Sequence, residues 1–187
     1  SRGIGRATAL TFAAEGADVA ICARGADALE ATRAEIEALG VQAFAATCDV
    51  ADADDLGRFL DEANAALGGV DILVNNTSGF GVGDDEDGWK TGFDVDVMGS
   101  VRASWRVVPW MEARGGGAIV HISSTSGMEA GSPPAYAAVK AALISHSKTL
   151  SLNLAPKGIR VNCIAPGSIE FPAGLWEQVR EHNPAQY

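Results

Sequence analysis

The feature that most constrains the fold of this chain is a regular alternation of two kinds of segment. Short apolar runs rich in β-branched residues predict strands, and longer segments with apolar side chains at helical spacing predict helices. The predicted strands lie at 17–23, 41–50, 70–76, 117–124 and 159–167, and the predicted helices lie at 6–16, 25–40, 52–69, 89–114 and 135–155. This alternation, with short connections, predicts an α/β fold with a doubly wound parallel sheet and helices on both faces.

The composition limits the classes of partner. The 187 residues fit a single domain, and the formal net charge of -10 argues against nucleic acid or an anionic membrane as the main partner. No apolar run reaches the length of a membrane span, and no signal peptide is visible. Cys22, Cys48 and Cys163 are far apart, which predicts reduced thiols in a cytoplasmic protein. The histidines are scattered too, so no metal site is expected, and His121 is predicted to be structural.

Both ends of the sequence lie in loops. The chain begins with SRGIGR, a glycine turn that runs straight into a helix, and it stops shortly after a proline-glycine loop. We therefore expect residues 1–187 to form one domain that lacks its first strand and its C-terminal segment.

Two glycines and two arginines indicate a phosphate site. Gly3 and Gly5 open the first helix, where the backbone can approach a phosphate and the helix N–H groups point towards it; a plain tight turn is the alternative. Arg24 follows the strand 17–23, at a position where folds that bind NAD usually carry an acid. An arginine can instead hold a 2′-phosphate, with Arg2 as a second cation, so this pattern favours NADP over NAD. The alternative for Arg24 is an exposed surface cation.

Polar side chains follow the next two predicted strands. Asp49 lies at the end of the strand 41–50, where its carboxylate could accept from an adenine amino group or cap the following helix. Asn75 and Asn76 end the strand 70–76. We expect these amides to bridge neighbouring strands and to line the cleft rather than to react.

The stretch ISSTSGMEAGSPPAYAAVK carries the residues best suited to proton transfer. Tyr136 and Lys140 are four residues apart, so they share one face of the helix 135–155. A neighbouring ammonium favours the phenolate and makes a phenol a better proton donor near neutral pH. A serine at the end of the preceding strand, Ser123 or Ser124, could donate a hydrogen bond to a substrate oxygen.

Taken in this order, the segments resemble the short-chain dehydrogenase/reductase family over essentially the whole chain. SRGIG resembles the second half of the family's TGxxxGIG motif, NNTSG resembles NNAG, YAAVK fits YxxxK, and VNCIAPGSI fits the loop that holds the nicotinamide carboxamide. The resemblance implies a Rossmann-type single domain and an NADP-dependent oxidoreductase. It implies cofactor contacts by these residues: Ser1, Arg2, Gly3, Ile4, Arg24, Asp49, Val50, Asn76, Tyr136, Lys140, Pro166, Gly167 and Ile169.

The resemblance also implies catalytic roles. Tyr136 would give its proton to a carbonyl as hydride arrives, and it would act as the base in reverse. Lys140 would promote this transfer and hold the nicotinamide ribose, and Asp96 stands where the family often carries a catalytic asparagine. Alignment with the motif ISSxxG selects Ser124 to hold the substrate oxygen, whereas the usual spacing to the tyrosine selects Ser123. We prefer Ser124, because loops lose residues more readily than strand ends shift.

The resemblance implies a small-molecule carbonyl or alcohol as the substrate. Asp96 gives one alternative, a reductase of enoyl or dienoyl thioesters, and a nucleotide-binding protein of the same fold without catalysis is another. Phe171 departs from the family, which often has a threonine there. Family members usually pair through their long helices, so we expect a homodimer or homotetramer, with Trp105, Trp110 and Met111 in the core or in subunit contacts.

Overall fold

The structure, a computed structural model, describes residues 2–81 and 83–184. Its regular elements, in chain order, are α1 (Gly3–Ala14), β1 (Val19–Ala23), α2 (Asp27–Glu37), β2 (Ala43–Thr47), α3 (Ala53–Leu67), β3 (Ile72–Asn75), α4 (Glu86–Gly92), α5 (Gly99–Ala113), β4 (Gly117–Ile122), α6 (Pro134–Leu154), β5 (Ile159–Ile164) and α7 (Leu175–His182). A π-helical segment, Phe93–Met98, joins α4 to α5, and short 3-10 turns cover Thr125–Gly127 and Ala155–Lys157. The predicted alternation of helices and strands is confirmed.

Every strand pairing in the described part of the chain is parallel. β1 pairs with β2, while β4 lies between β3 and β5. The strands therefore form two hydrogen-bonded groups rather than the one continuous sheet that the sequence predicted. Parallel neighbours need crossover connections, and the helices between consecutive strands supply them. All strands point the same way within each group, so their carboxyl ends share one edge.

Helices α3, α5 and α6 pack on one face of the strands. Phe59 and Leu60 of α3 and Val107 of α5 lie in one buried cluster with Ile119 of β4, and Ala20 and Cys22 of β1 and Phe44 of β2 pack against it. This cluster joins the two groups of strands.

On the opposite face of β1, Val19 and Ile21 pack against Ala13 of α1 and Ile36 of α2. The alternation of side chains along a strand explains the division, because successive residues point to opposite faces. The predicted double winding is therefore confirmed.

The long helix predicted at 89–114 differs from the structure in two ways. It begins earlier, because the Asp85 side chain caps α4 by accepting from the Gly88 N–H at 2.8 Å. It also widens into the π-helical segment before α5 continues. On α5, Met111 is fully buried in the core, whereas Trp105 is 66% exposed. No helix in the described residues is long and apolar enough to cross a bilayer.

A buried histidine pair lies beneath α6. His121 of β4 is fully buried, and its ring meets the ring of His146 edge-on with centroids 5.4 Å apart. Asn75 Nδ2 lies 3.2 Å from His121 Nδ1, within hydrogen-bonding distance, so this amide links β3 to β4. Burial, and secondarily His146, lower the pKa of His121 to about 4. The predicted structural role for His121 agrees with this position.

We expect His121 to make stability depend on pH. The unfolded chain takes up this proton near pH 6.5 and the folded chain only near pH 4, so stability is lost as pH falls through that window. Between pH 7 and pH 5 the native protein should lose roughly 2 kcal/mol more than a His121→Asn variant. Urea unfolding at both pH values measures this, with His182→Asn, at an exposed position, as the control. Equal losses in the native and His121→Asn proteins would contradict the expectation.

Candidate active site

The predicted tyrosine and lysine lie in the first turns of α6, at the carboxyl edge of β4. Tyr136 is half-buried and Lys140 is 2% exposed. The Lys140 Nζ atom lies 5.6 Å from the centroid of the Tyr136 ring. The expected shared helix face is therefore observed, with the cation beneath the phenol rather than in solvent.

Lys140 is held by a buried ion pair. Its Nζ lies 2.8 Å from Asp96 Oδ1 and donates to the Ile122 carbonyl at 3.1 Å. The second carboxylate oxygen, Asp96 Oδ2, accepts from the Gly79 N–H at 2.8 Å. Asp96 belongs to the π-helical segment, a local widening that often occurs at functional sites. Both oxygens of this carboxylate therefore contact named partners, and its side chain is fully buried.

The two candidate serines face different surroundings. Ser123 is buried, and its hydroxyl donates to the Lys140 carbonyl at 2.8 Å. Ser124 is half-buried at the start of the 3-10 turn Thr125–Gly127, where its Oγ accepts from the Ser126 N–H at 3.2 Å. No described residue accepts the Ser124 hydroxyl hydrogen, so this serine can donate to a ligand.

A glycine lets the loop after β4, which begins at Ser124 and is called here the serine loop, lie close to α6. A Cβ atom at Gly127 would stand 2.7 Å from the Ala141 backbone nitrogen, closer than a side chain can approach. The absence of a side chain at Gly127 therefore allows the loop after β4 to lie directly on α6, the helix that carries Tyr136 and Lys140. The role of Gly127 was missed in the sequence, where this glycine stood out only as part of ISSTSG.

The glycine turn at the start of α1 is the candidate phosphate site. Gly3 has φ +54°, a left-handed conformation that favours glycine, and a Cβ atom there would stand 2.9 Å from the Phe171 ring. At Gly5 a Cβ atom would stand 2.6 Å from Asn76 Nδ2. Gly5 and Asn76 therefore meet in the first turn of α1, and Phe171 packs on Gly3.

Two predicted cations lie at the same edge. Arg2 precedes α1, and Arg24 follows β1 directly. Both are exposed, and neither has an ion-pair partner among the described residues. Ile4, also a predicted contact, is half-buried in the first turn of α1. The site thus offers free positive charge and helix N–H groups to an anion.

The predicted helix-cap alternative for Asp49 is wrong. Its carboxylate accepts from the Ala51 N–H at 3.0 Å in a local turn, and the cap of α3 is Asp52, which accepts from the Asp54 and Asp55 N–H groups. The exposed Asp49 side chain stays a candidate for contact with the adenine. Its neighbour Val50 packs against Gly99, where a Cβ atom would stand 3.3 Å from Val50 Cγ2.

The remaining predicted contacts follow β5. The Pro166 carbonyl accepts from the Thr125 N–H at 3.0 Å, which ties this loop to the serine loop. Gly167 is exposed, and Ile169 is 44% exposed. Ser1 lies outside the described residues. Within the described ranges, no cluster of three or more His, Cys, Asp or Glu residues could hold a metal ion.

The arrangement combines a half-buried phenol, a buried cation and a serine hydroxyl that can donate, beside the candidate phosphate site. Two of its members were missed in the sequence, the Gly79 N–H that binds Asp96 and the Phe80 ring that stacks on Tyr136. The glycine-rich character of TSGFG indicated a loop but gave no sign of either contact.

Comparison with known sequences assigns this chain to one protein family. A family profile described as short chain dehydrogenase matches residues 1–183. The 7alpha-hydroxysteroid dehydrogenase of Escherichia coli (strain K12) is 38% identical over 171 residues, which is 89% of this chain and 67% of that protein. Curated relatives of this kind are matched over 66% to 74% of their own length.

Solved structures with the same fold contain both nicotinamide cofactors. A 7alpha-hydroxysteroid dehydrogenase complexed with NADH and 7-oxo glycochenodeoxycholic acid has a TM-score of 0.88 and 34% identity, over 100% of this chain and 77% of that one. The L-sorbose reductase from Gluconobacter frateurii, complexed with NADPH and L-sorbose, has a TM-score of 0.89 and 35% identity, over 97% and 72%. The motifs, the fold and these matches agree, and the chain belongs to the short-chain dehydrogenase/reductase family of oxidoreductases.

Proposed function

We propose that this chain is an NADP(H)-dependent oxidoreductase that interconverts a carbonyl and the matching alcohol on a small molecule. The observation that carries the proposal is the cluster of Tyr136, Lys140 and Ser124 at the carboxyl edge of β4. Bound NADPH would supply the hydride. Arg2, Arg24 and the turn at Gly3 and Gly5 would hold it, because they offer unpaired positive charge and the N–H groups at the start of α1 to its phosphates.

In reduction, the Tyr136 hydroxyl gives its proton to the carbonyl oxygen, while the carbonyl carbon accepts the hydride. The Ser124 hydroxyl donates to the same oxygen and stabilises the negative charge that develops there. The Lys140 ammonium lies over the face of the Tyr136 ring, 5.6 Å from its centroid, and would hold the nicotinamide ribose. In the reverse reaction the Tyr136 phenolate takes the proton from the alcohol.

Asp96 acts in this proposal as a positioning residue for Lys140. Its carboxylate is fully buried and contacts both Lys140 and the Gly79 N–H, so it has no free oxygen directed to a substrate. This arrangement gives no support to the alternative of a thioester reductase in which Asp96 carries a proton.

We also propose a homodimer or homotetramer that forms through α5, in a cytoplasmic enzyme. Trp105 supports the first part, because an indole that is 66% exposed on a helix is typical of protein interfaces. The next residue, Arg106, pairs with Asp61 of α3, and its guanidinium carbon lies 5.8 Å from the centroid of the Trp110 ring. The cysteines Cys22, Cys48 and Cys163, which form no disulfides, are consistent with a reducing compartment.

We expect Tyr136→Phe to abolish turnover and to spare cofactor binding. Removal of the proton donor should lower kcat by about 10²- to 10⁴-fold. Absorbance of NADPH with a panel of aldehydes and ketones measures turnover, and NADPH fluorescence measures binding. A binding protein without catalysis would show no turnover before the substitution, and unchanged turnover in the variant would contradict the role of Tyr136.

The two neighbouring serines provide a matched pair of variants. We expect Ser124→Ala to lower kcat by about 10²- to 10³-fold, because a hydrogen bond to the reacting oxygen is lost. Ser123→Ala should instead lower the free energy of unfolding by about 0.5 to 1.5 kcal/mol, since it removes the buried hydrogen bond from the Ser123 hydroxyl to the Lys140 carbonyl. Steady-state kinetics and urea unfolding of both variants test this assignment, and the reverse pattern would select Ser123.

We expect Arg24→Ala to reduce the preference for NADPH over NADH. The ratio of kcat/KM for the two cofactors should fall by about tenfold or more, the effect of losing a charge-assisted hydrogen bond. Arg160→Ala is the control, because Arg160 is an exposed cation near the start of β5, at the opposite end of the strands. A native protein that strongly prefers NADH would contradict the assignment of Arg24.

A further inference from the structure

Phe80 presents an exposed aromatic ring beside the proposed proton donor. The ring is nearly parallel to that of Tyr136, with an angle of 6° between the planes and 6.1 Å between the centroids. At that separation two parallel rings in contact are offset, which is a preferred aromatic geometry. Part of the Phe80 ring therefore extends beyond the phenol, and Phe80 is 56% exposed.

The backbone holds Phe80 in an uncommon conformation. Its φ of 47° lies in the left-handed region, which bulky residues rarely adopt unless the surroundings impose it. The flanking glycines supply those surroundings. A Cβ atom at Gly81 would stand 2.2 Å from the Gly88 carbonyl oxygen, and one at Gly79 would stand 3.0 Å from Thr91 Cγ2. The segment is thus seated tightly on α4.

The same segment is tied to the ion pair of the site. The Gly79 N–H donates to Asp96, Asp96 pairs with Lys140, and Lys140 lies beneath the Tyr136 ring. The Phe80 ring, which follows Gly79 in the chain, stacks in turn on the Tyr136 ring. The position of the Phe80 ring is therefore set by the residues that set the position of the phenol.

On the basis of the proposed function, we infer that Phe80 is a specificity-determining residue. Its overhanging ring is a stacking surface for the substrate, and it selects carbonyls or alcohols whose reacting carbon carries a flat aromatic or conjugated group. Such a group can lie against Phe80 while its oxygen reaches the Tyr136 hydroxyl. A puckered, saturated group of similar size gains no equivalent contact.

Kinetics with two matched ketones test the selection. Acetophenone and cyclohexyl methyl ketone share one skeleton but differ in the flatness of the ring. We expect Phe80→Leu to lower the ratio of their kcat/KM values by up to about tenfold, whereas Phe80→Tyr retains it. Comparison between variants cancels the different intrinsic reactivities of the ketones. Trp89→Leu, at an exposed aromatic position on α4, should leave the ratio unchanged.

A second measurement needs no turnover. The chain has two tyrosines, Tyr136 and Tyr187, so 3-fluorotyrosine gives two ¹⁹F resonances, and Tyr187→Phe assigns them. With NADP⁺ present, acetophenone should move the Tyr136 resonance in the native protein but not in Phe80→Leu, and cyclohexyl methyl ketone should move it little in either.

The two measurements separate the possible failures. If neither these ketones nor any member of the panel of aldehydes and ketones is reduced, but acetophenone moves the Tyr136 resonance through Phe80, the proposed function fails and the aromatic site stands. If both ketones are reduced with a ratio that Phe80→Leu does not change, the proposed function stands and the inference about Phe80 is overturned. The inference is also overturned if acetophenone leaves the Tyr136 resonance unmoved, or moves it equally in both proteins.

Discussion

The buried ion pair between Lys140 and Asp96 is the interaction on which the candidate site depends. Removal of one partner from a buried pair costs about 3–5 kcal/mol, because the other charge stays in the interior without compensation. Here each partner also makes one further hydrogen bond, from Lys140 to the Ile122 carbonyl and from the Gly79 N–H to the carboxylate. The pair therefore joins α6, the end of β4, the π-helical segment and the loop after β3. These are the segments that surround the Tyr136 ring.

A second organising constraint is the alternation of side chains at the end of β4. Successive residues point to opposite faces, so Ser123 is directed into the protein and binds the Lys140 carbonyl, while Ser124 turns towards the edge of the sheet. One hydroxyl supports the helix that carries Tyr136 and Lys140, and its neighbour is left able to meet a ligand. The close approach of Gly127 to α6 seats the turn that begins at Ser124 directly on that helix.

The sequence predicted the features that depend on local pattern. The strands followed from short apolar runs, and the predicted helix 135–155 differs from α6 by one residue at each end. The spacing of Tyr136 and Lys140 gave their shared face. The π-helical segment, the left-handed Phe80 and the separation of the strands into two groups were not predicted. The first two depend on contacts between residues far apart in the chain, and no local pattern encodes them. The sequence pattern also does not predict α7, which follows the proline-glycine segment after β5.

The π-helical segment places more residues in its turn than an α-helix holds, because its backbone hydrogen bonds span five residues rather than four. Loss of one residue from Phe93–Met98 would therefore let the segment become ordinary α-helix while α4 and α5 keep their orientation. The effect of such a deletion would fall on the widened turn itself, which carries the aspartate that pairs with Lys140. The extra residue thus serves the position of one carboxylate and not the packing of the helix that follows.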